Sequence, residues 1–309
     1  MHTVGKSRAV PDPGPWPLRA VWLVAPLTAG PAFAAALDPA RHGFRTVASV
    51  GLWALWAATL AAMLVPRDVT LTAVRVVVPA SVVAAGWAAS GGAGPVAGLV
   101  AIAGTVLAAA LALAPGTTDA FVDGGSYGTE RRWALRTPAP LLLGPVPLAW
   151  LVAVAGAAAG PVLLAAGHWT LGTVLLVVGW PLAAAAARAL HTLSRRWVVL
   201  VPAGLVLHDP LAGEALLFPR NTIARLGPAG AGADERPGIA QDRTGGALGL
   251  VLELDLVEPV SVPELSDRGR RRPEGPTAPT VDVASLLFSP ARPGAVLEAA
   301  ASHRISVGS

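Results

Sequence analysis

Six apolar stretches of bilayer length constrain this chain more than any other feature. Crossing about 30 Å of hydrocarbon takes roughly 20 helical residues. The stretches run over about 18–37, 47–65, 71–89, 95–114, 146–166 and 170–190. Proline interrupts several of them (Pro26, Pro31, Pro79, Pro161 and Pro181). Membrane helices tolerate this because neighbouring groups re-satisfy the freed backbone. Only 14% of the 309 residues are charged, against 53% hydrophobic. A soluble domain is nearer a quarter charged, so the balance argues against an ordinary cytosolic enzyme. The links Gly91-Gly92-Ala93-Gly94 and Gly167-His168-Trp169 are short and uncharged, so spans three and four, and five and six, are expected as antiparallel hairpins.

Arginine and lysine set the expected orientation, because cytoplasmic connectors carry the positive excess. With the N-terminus inside, the inner boundary segments hold 11 basic residues: Lys6, Arg8 and Arg19; Arg67 and Arg75; Arg131, Arg132 and Arg136; and Arg188, Arg195 and Arg196. The outer segments hold two, Arg41 and Arg45. This predicts a multi-pass protein of the inner (plasma) membrane with both termini cytoplasmic: an N-terminal tail over 1–17, a six-helix domain over 18–190 and a tail domain over 195–309. A competing reading makes the first stretch a signal peptide, with Ala32-Phe33-Ala34 as the small-x-small cleavage site. The two prolines in its apolar run and the Pro-rich start argue against it. Arg75 falls one turn inside span three and is expected to snorkel to the inner interface, with an intramembrane ligand role as the rival reading.

Beyond residue 190 the periodicity changes. Residues 191–196 read as a polar hinge. Trp197–Val201 and Leu205–His208, joined by Pro-Ala-Gly, read as a β-hairpin. Further strands are expected over 215–218, 248–257 and 281–288, and 221–226 reads as a short strand or a turn of helix. In 248–257 Leu250, Leu252, Leu254 and Leu256 alternate with Glu253 and Asp255, the pattern of a half-buried antiparallel strand. Pro293 suits the first turn of a terminal helix. The intervening segments near 227–246 and 263–280 are rich in Gly, Pro and charge and are expected to be disordered. The fold class is therefore an all-α membrane bundle of six transmembrane helices followed by a small α+β domain, an antiparallel sheet with a C-terminal helix.

Four pieces of the tail carry a likeness: Arg195-Arg196-Trp197-Val198-Val199-Leu200-Val201, Gly204-Leu205-Val206-Leu207-His208-Asp209, Leu217-Phe218-Pro219-Arg220-Asn221-Thr222-Ile223, and the strand and helix from Leu286 to Ala301. Together they resemble a bacterial pleckstrin-homology-like (PH-like) domain. With Tyr127-Gly128-Thr129-Glu130-Arg131-Arg132 and Leu143-Gly144-Pro145-Val146-Pro147-Leu148-Ala149-Trp150, the chain is similar to a family of uncharacterised multi-span membrane proteins of high-GC bacteria. The resemblance implies a fold and no catalytic residue.

The densest polar stretch beside the membrane lies between spans four and five. Its Tyr127, Glu130, Arg131, Arg132 and Arg136 are the candidates for docking a lipid headgroup or a protein partner, since glycines next to guanidinium forks suit phosphate. Walker and dinucleotide spacings are absent. Arg268, Arg270, Arg271 and Arg272 form a second basic cluster, suited to contact with anionic lipid at about 1 kcal/mol per residue. The sequence has no cysteine, which removes thiolate chemistry and Cys-ligated metals. The six histidines lack metal-ligand spacing, so no metal and no cofactor is expected. Nucleic acid is a poor fit, because the positive excess belongs to the membrane half (net +5) and not to residues 195–309 (net −1). No carboxylate lies inside the six stretches, which argues against ion-coupled transport. The expected function is a non-catalytic membrane protein whose cytoplasmic β-domain docks a protein or lipid partner. The alternative is a transporter or lipid-handling protein regulated by that domain, and an enzyme using Glu130, Arg131 and Arg132 comes third. GxxxG patterns at Gly156–Gly160 and Gly94–Gly98 are expected to serve helix packing within the chain.

Overall fold

The computed structural model describes residues 13–213, 215–230, 240–264 and 279–308. Its first apolar stretch is three short helices: α1 (Trp16–Leu23), α2 (Ala25–Thr28) and α3 (Gly30–Leu37). This departs from the single helix expected over 18–37, and proline is the cause. Pro26 and Pro31 occupy the first turns of α2 and α3. Each lacks an N–H, and its ring displaces the carbonyl one turn back, so the ladder fails there. Hydrogen bonds from Val24 N–H to Ala20 O and from Thr28 N–H to Val24 O carry across the first break, and from Ala29 N–H to Ala25 O and from Phe33 N–H to Ala29 O across the second. The segment is therefore kinked but keeps its direction.

Then follow α4 (His42–Leu64), α5 (Asp68–Ser90), α6 (Pro95–Leu113), the short α7 (Pro115–Asp123), strand β1 (Arg131–Ala134), the short α8 (Ala139–Leu143), α9 (Pro145–Ala165) and α10 (Trp169–Ser194). Five of these, α4, α5, α6, α9 and α10, are long and apolar enough to cross a membrane. Their 19 to 26 residues correspond to roughly 28 to 39 Å. Many outward side chains on them are large and apolar, such as Leu99, Val177 and Trp180. α10 runs to Ser194, so residues 191–194 form its last turn and the expected polar hinge is absent.

The glycine patterns serve the chain's own helices. A Cβ at Gly156 would stand 2.7 Å from Gly179 O, and one at Gly160 would stand 2.7 Å from Leu176 Cα, so α9 and α10 meet backbone to backbone. Gly98 meets the methyl of Ala89, while nothing approaches Gly94. The kinked segment joins the same bundle. Leu18 and Trp22 pack with Met63, Leu71, Ala108 and Ala112 at one end, and Ala32 and Ala36 pack with Ala85, Ala88 and Ala101 at the other. Trp22 and Trp56 each donate an indole N–H to the other's carbonyl, at 3.1 and 2.9 Å.

After α10 come β2 (Trp197–Val201), β3 (Gly204–His208), β4 (Leu216–Pro219), a 3-10 turn at Arg220–Thr222, β5 (Ile223–Pro228), β6 (Ala240–Asp242), β7 (Leu252–Pro263), β8 (Thr280–Phe288) and α11 (Pro293–Ser302). They form two four-stranded sheets, ordered β1-β2-β3-β4 and β5-β7-β8-β6, where a single antiparallel sheet was expected. One pairing, β6 with β8, is parallel. One core joins both sheets and the helix, with Trp133, Val198, Leu205 and Phe218 from the first, Leu252, Leu254, Leu286 and Phe288 from the second, and Val296 from α11.

Three further expectations are revised. The segment 227–246 contributes the end of β5 and all of β6, while 231–239 and 265–278 lie outside the described residues. β7 begins at Leu252 and leaves Leu250 exposed. Glu253 is buried where Ser285 donates to it at 3.1 Å, so the alternation is not a simple division between core and solvent.

Candidate functional site

The loop between α6 and α9 becomes part of the β-domain, and this builds the site. β1 pairs antiparallel with β2, Arg131 opposite Leu200 and Trp133 opposite Val198. A tail domain beginning at residue 195 would lack this strand. Period-two alternation turns Trp133 and Leu135 into the β-domain core and Ala134 onto Phe121 and Val122 of α7, in the cluster that holds the ends of the long apolar helices.

The free edge of β1 is closed by carboxylates on α7. Arg132 N–H donates to Asp123 Oδ1 at 2.9 Å and Ala134 N–H to Asp119 Oδ1 at 3.0 Å. The spacings match: one helical turn from Asp119 to Asp123 rises about 6 Å, and two strand residues advance about 6.6 Å. Asp119 is buried. Its other oxygen faces Arg292, at the N-cap of α11, at 3.9 Å. Arg75 turns into the protein and donates to Thr118 Oγ1 at 2.5 Å; it does not snorkel.

The passage from α10 to β2 is equally tied. The buried guanidinium of Arg196 makes two 2.7 Å bonds to the buried carboxylate of Asp209 and one of 2.8 Å to Arg136 O. Bidentate pairs of this kind fix orientation as well as charge. Next to it, Trp197 stacks on His208 with centroids 4.9 Å apart. Burial, followed by the charge of Arg195, pushes His208 below its ordinary pKa; Asp209 opposes and Arg132 adds to the lowering.

A cavity of about 360 Å³ opens where these parts meet, walled by Arg67 from the α4–α5 link, Asp68 at the start of α5, Gly125 and Ser126 from the α7–β1 turn, Arg132 of β1 and Trp197 of β2. Gly124 brings the two turns together, since a Cβ there would lie 2.3 Å from Pro66 O. A smaller cavity of about 100 Å³ has Arg75, Thr118, Arg136 and Ser194 on its wall.

The five loop candidates have different fates. Arg132 lines the larger cavity, and its Nε is held by Glu130 at 2.6 Å. Arg131 pairs with Asp123 at 3.4 Å. Tyr127 is 90% exposed on the turn. Arg136 bridges the carbonyls of Pro290, Leu248 and Ala291, so it braces the β-domain. Arg268, Arg270, Arg271 and Arg272 lie outside the described residues. Sequence reading missed Arg67, Asp68 and Trp197 as neighbours of Arg132, because only the fold joins them. A signal for the α7 contact was present in the four-residue spacing of Asp119 and Asp123. Among the described residues no group of three His, Asp or Glu side chains stands ready for a metal. No family model, curated protein or solved structure matches the chain.

Proposed function

We propose that the chain is a non-catalytic polytopic protein of the inner (plasma) membrane that holds a PH-like β-domain against the cytoplasmic leaflet, where the domain docks a lipid or protein partner. In this reading the kinked α1–α3 segment is the sixth crossing, both termini are cytoplasmic, and the relatives are the multi-span proteins of high-GC bacteria that the sequence resembles. The observation that carries it is β1. A strand taken from a membrane loop and stitched to the strand after the last apolar helix leaves the β-domain no freedom to swing away.

A second observation concerns the membrane-facing rim. Leu143 of α8 is 88% exposed and Leu248 is 74% exposed, and their segments adjoin through Ala139 N–H donating to Gly246 O and Arg136 donating to Leu248 O. Leu143 lies just before α9, and Leu248 belongs to the segment between β6 and β7 that these bonds bring beside it; in this reading the pair faces the bilayer surface. Exposed apolar groups grouped at such a place mark an interaction surface.

The test uses the natural absence of cysteine. Single cysteines at Gly14, Arg41, Tyr127 and His168 are labelled with an impermeant maleimide on intact cells. Labelling of Arg41→Cys and His168→Cys from outside, and of Gly14→Cys and Tyr127→Cys only after permeabilisation, is the expected outcome. Labelling of Gly14→Cys and Arg41→Cys from the same side would remove the sixth crossing. Release of the protein by alkaline carbonate would remove the membrane reading altogether.

A further inference from the structure

The larger cavity has the composition of an anion site. We propose that it binds one phosphate group, supplied by an anionic phospholipid of the inner leaflet or by a soluble phosphate ester, between Arg67 and Arg132. The inference deepens the membrane-docking reading and rests on it for the lipid source.

Four observations carry it. Arg67 is exposed on the wall, and its guanidinium has no hydrogen bond or ion pair among the described residues. Arg132 is oriented from behind: Glu130 takes its Nε at 2.6 Å, and the guanidinium carbon lies 5.7 Å from the Trp197 ring centroid. Its two terminal nitrogens make no hydrogen bond among the described residues, one of them beside Gly125. Gly125 N–H likewise has no acceptor among the described residues. The Arg67 guanidinium, the two terminal nitrogens of Arg132 and the Gly125 N–H, none with an acceptor among the described residues, are the kind of donor set that recognises phosphate oxygens. Asp68, the carboxylate on the wall, lies 4.0 Å from His191 Nε2, and Glu130 offsets the charge of Arg132, so the attraction for an anion comes from the directed N–H donors and the unpaired charge of Arg67.

Size and place fit as well. The 360 Å³ volume lies at the small end of ordinary ligand sites and leaves room for a phosphate and part of its ester. Arg67 sits between two membrane-crossing helices, at the end where their connectors turn. In a bilayer that is headgroup depth, and Trp197 on the same wall has the amphipathic character found at such interfaces.

Native mass spectrometry of the full chain in micelles tests this, with phosphatidylglycerol or phosphatidylcholine added as lipid and with glycerol phosphate titrated separately. The variants are Arg67→Gln and Arg132→Gln, with Arg188→Gln as a control that removes the same charge from an exposed position off the cavity. A charge-assisted hydrogen bond lost at a desolvated site corresponds to about a tenfold to hundredfold weaker affinity. Phosphatidylglycerol retained by the wild type and by Arg188→Gln, and lost at least tenfold by Arg67→Gln and Arg132→Gln, supports the site with a lipid source. Glycerol phosphate binding with the same dependence on the two arginines, and no preference between the lipids, supports it with a soluble source. Binding of neither, or an equal loss in all three variants, overturns it. Arg67 holds α5 through its backbone N–H and carbonyl, which glutamine keeps, and its guanidinium has no hydrogen bond or ion pair among the described residues, so its variant reads the site even where Arg132→Gln unfolds. Carbonate extraction of the same proteins separates failure of the site from failure of the membrane reading.

Discussion

Replacing Trp133 by alanine tests whether a membrane loop truly supplies a strand to the β-domain. The side chain is 6% exposed, within the core shared by both sheets. An indole buries about 150–250 Å², and at about 25 cal/mol per Å² its removal forfeits roughly 4–6 kcal/mol. That figure is an upper bound, because the unfolded chain already shields part of the ring. Aromatic-to-alanine changes in cores cost about 3–5 kcal/mol, so a loss of about 4 kcal/mol is expected. The assay is hydrogen exchange of the full chain in nanodiscs, read at the amides of β2, whose carbonyls and N–H groups pair with β1. At 1.4 kcal/mol per tenfold, those amides should exchange roughly a thousandfold faster. Tyr127→Ala, on the exposed turn before the strand, should stay within about 0.5 kcal/mol of wild type. Exchange of β2 that is identical in Trp133→Ala and Tyr127→Ala would refute the pairing, since an unpaired loop tryptophan has no route to those amides.

Asp209→Asn leaves Arg196 buried with its charge uncompensated, which costs about 3–5 kcal/mol; chemical unfolding followed by tryptophan fluorescence should show it, and a loss below 1 kcal/mol would count against the buried pair. Gly156→Leu drives a side chain into Gly179 O, 2.7 Å from the Cβ position, and should separate α9 from α10, read as lost cross-linking between cysteines placed on the two helices, whereas Gly94→Leu, with nothing near it, should be silent. His208 is held below its ordinary pKa of about 6.5, so the folded state binds fewer protons than the unfolded one. The stability it contributes is complete above about pH 6.5 and is lost as the pH falls through its lowered folded value. His208→Gln should flatten that part of the stability profile, and an unchanged acid limb would show that another group titrates there.

Much of the architecture is legible along the chain. Length and apolarity alone locate the five long helices, because hydrocarbon thickness translates directly into residue number. Glycines 156 and 160 announce close packing on one helix face, and the Leu and Val alternation around 197–208 announces a hairpin. The first segment is less legible, since Pro26 and Pro31 each end a ladder while the chain continues in the same direction, a result that hydropathy does not distinguish from one long helix. β1 is illegible: Arg131-Arg132-Trp133-Ala134 carries two charges in four residues, and its strand character comes from pairing with Trp197–Val201, some 65 positions later. β6 is hidden for a similar reason, as a three-residue strand held in parallel by β8. The candidate site shares this fate. Arg132 stood out because it lies in a polar, glycine-rich turn, but Arg67 and Trp197 became its neighbours only when two connectors and a strand converged.

By itself the amino-acid order determined that several segments cannot rest in water, roughly where each begins and ends, and that a strand-rich region follows them. These are properties of windows of 5 to 20 residues, set by solvation and by the periods of helix and strand. Tertiary structure alone decided that the two regions share a seam, that Asp119 and Asp123 close a sheet edge, and that Arg136 braces a core instead of greeting a ligand. Those outcomes depend on which backbone donors lack partners after the chain has collapsed, and a buried amide must find an acceptor wherever the fold brings one near.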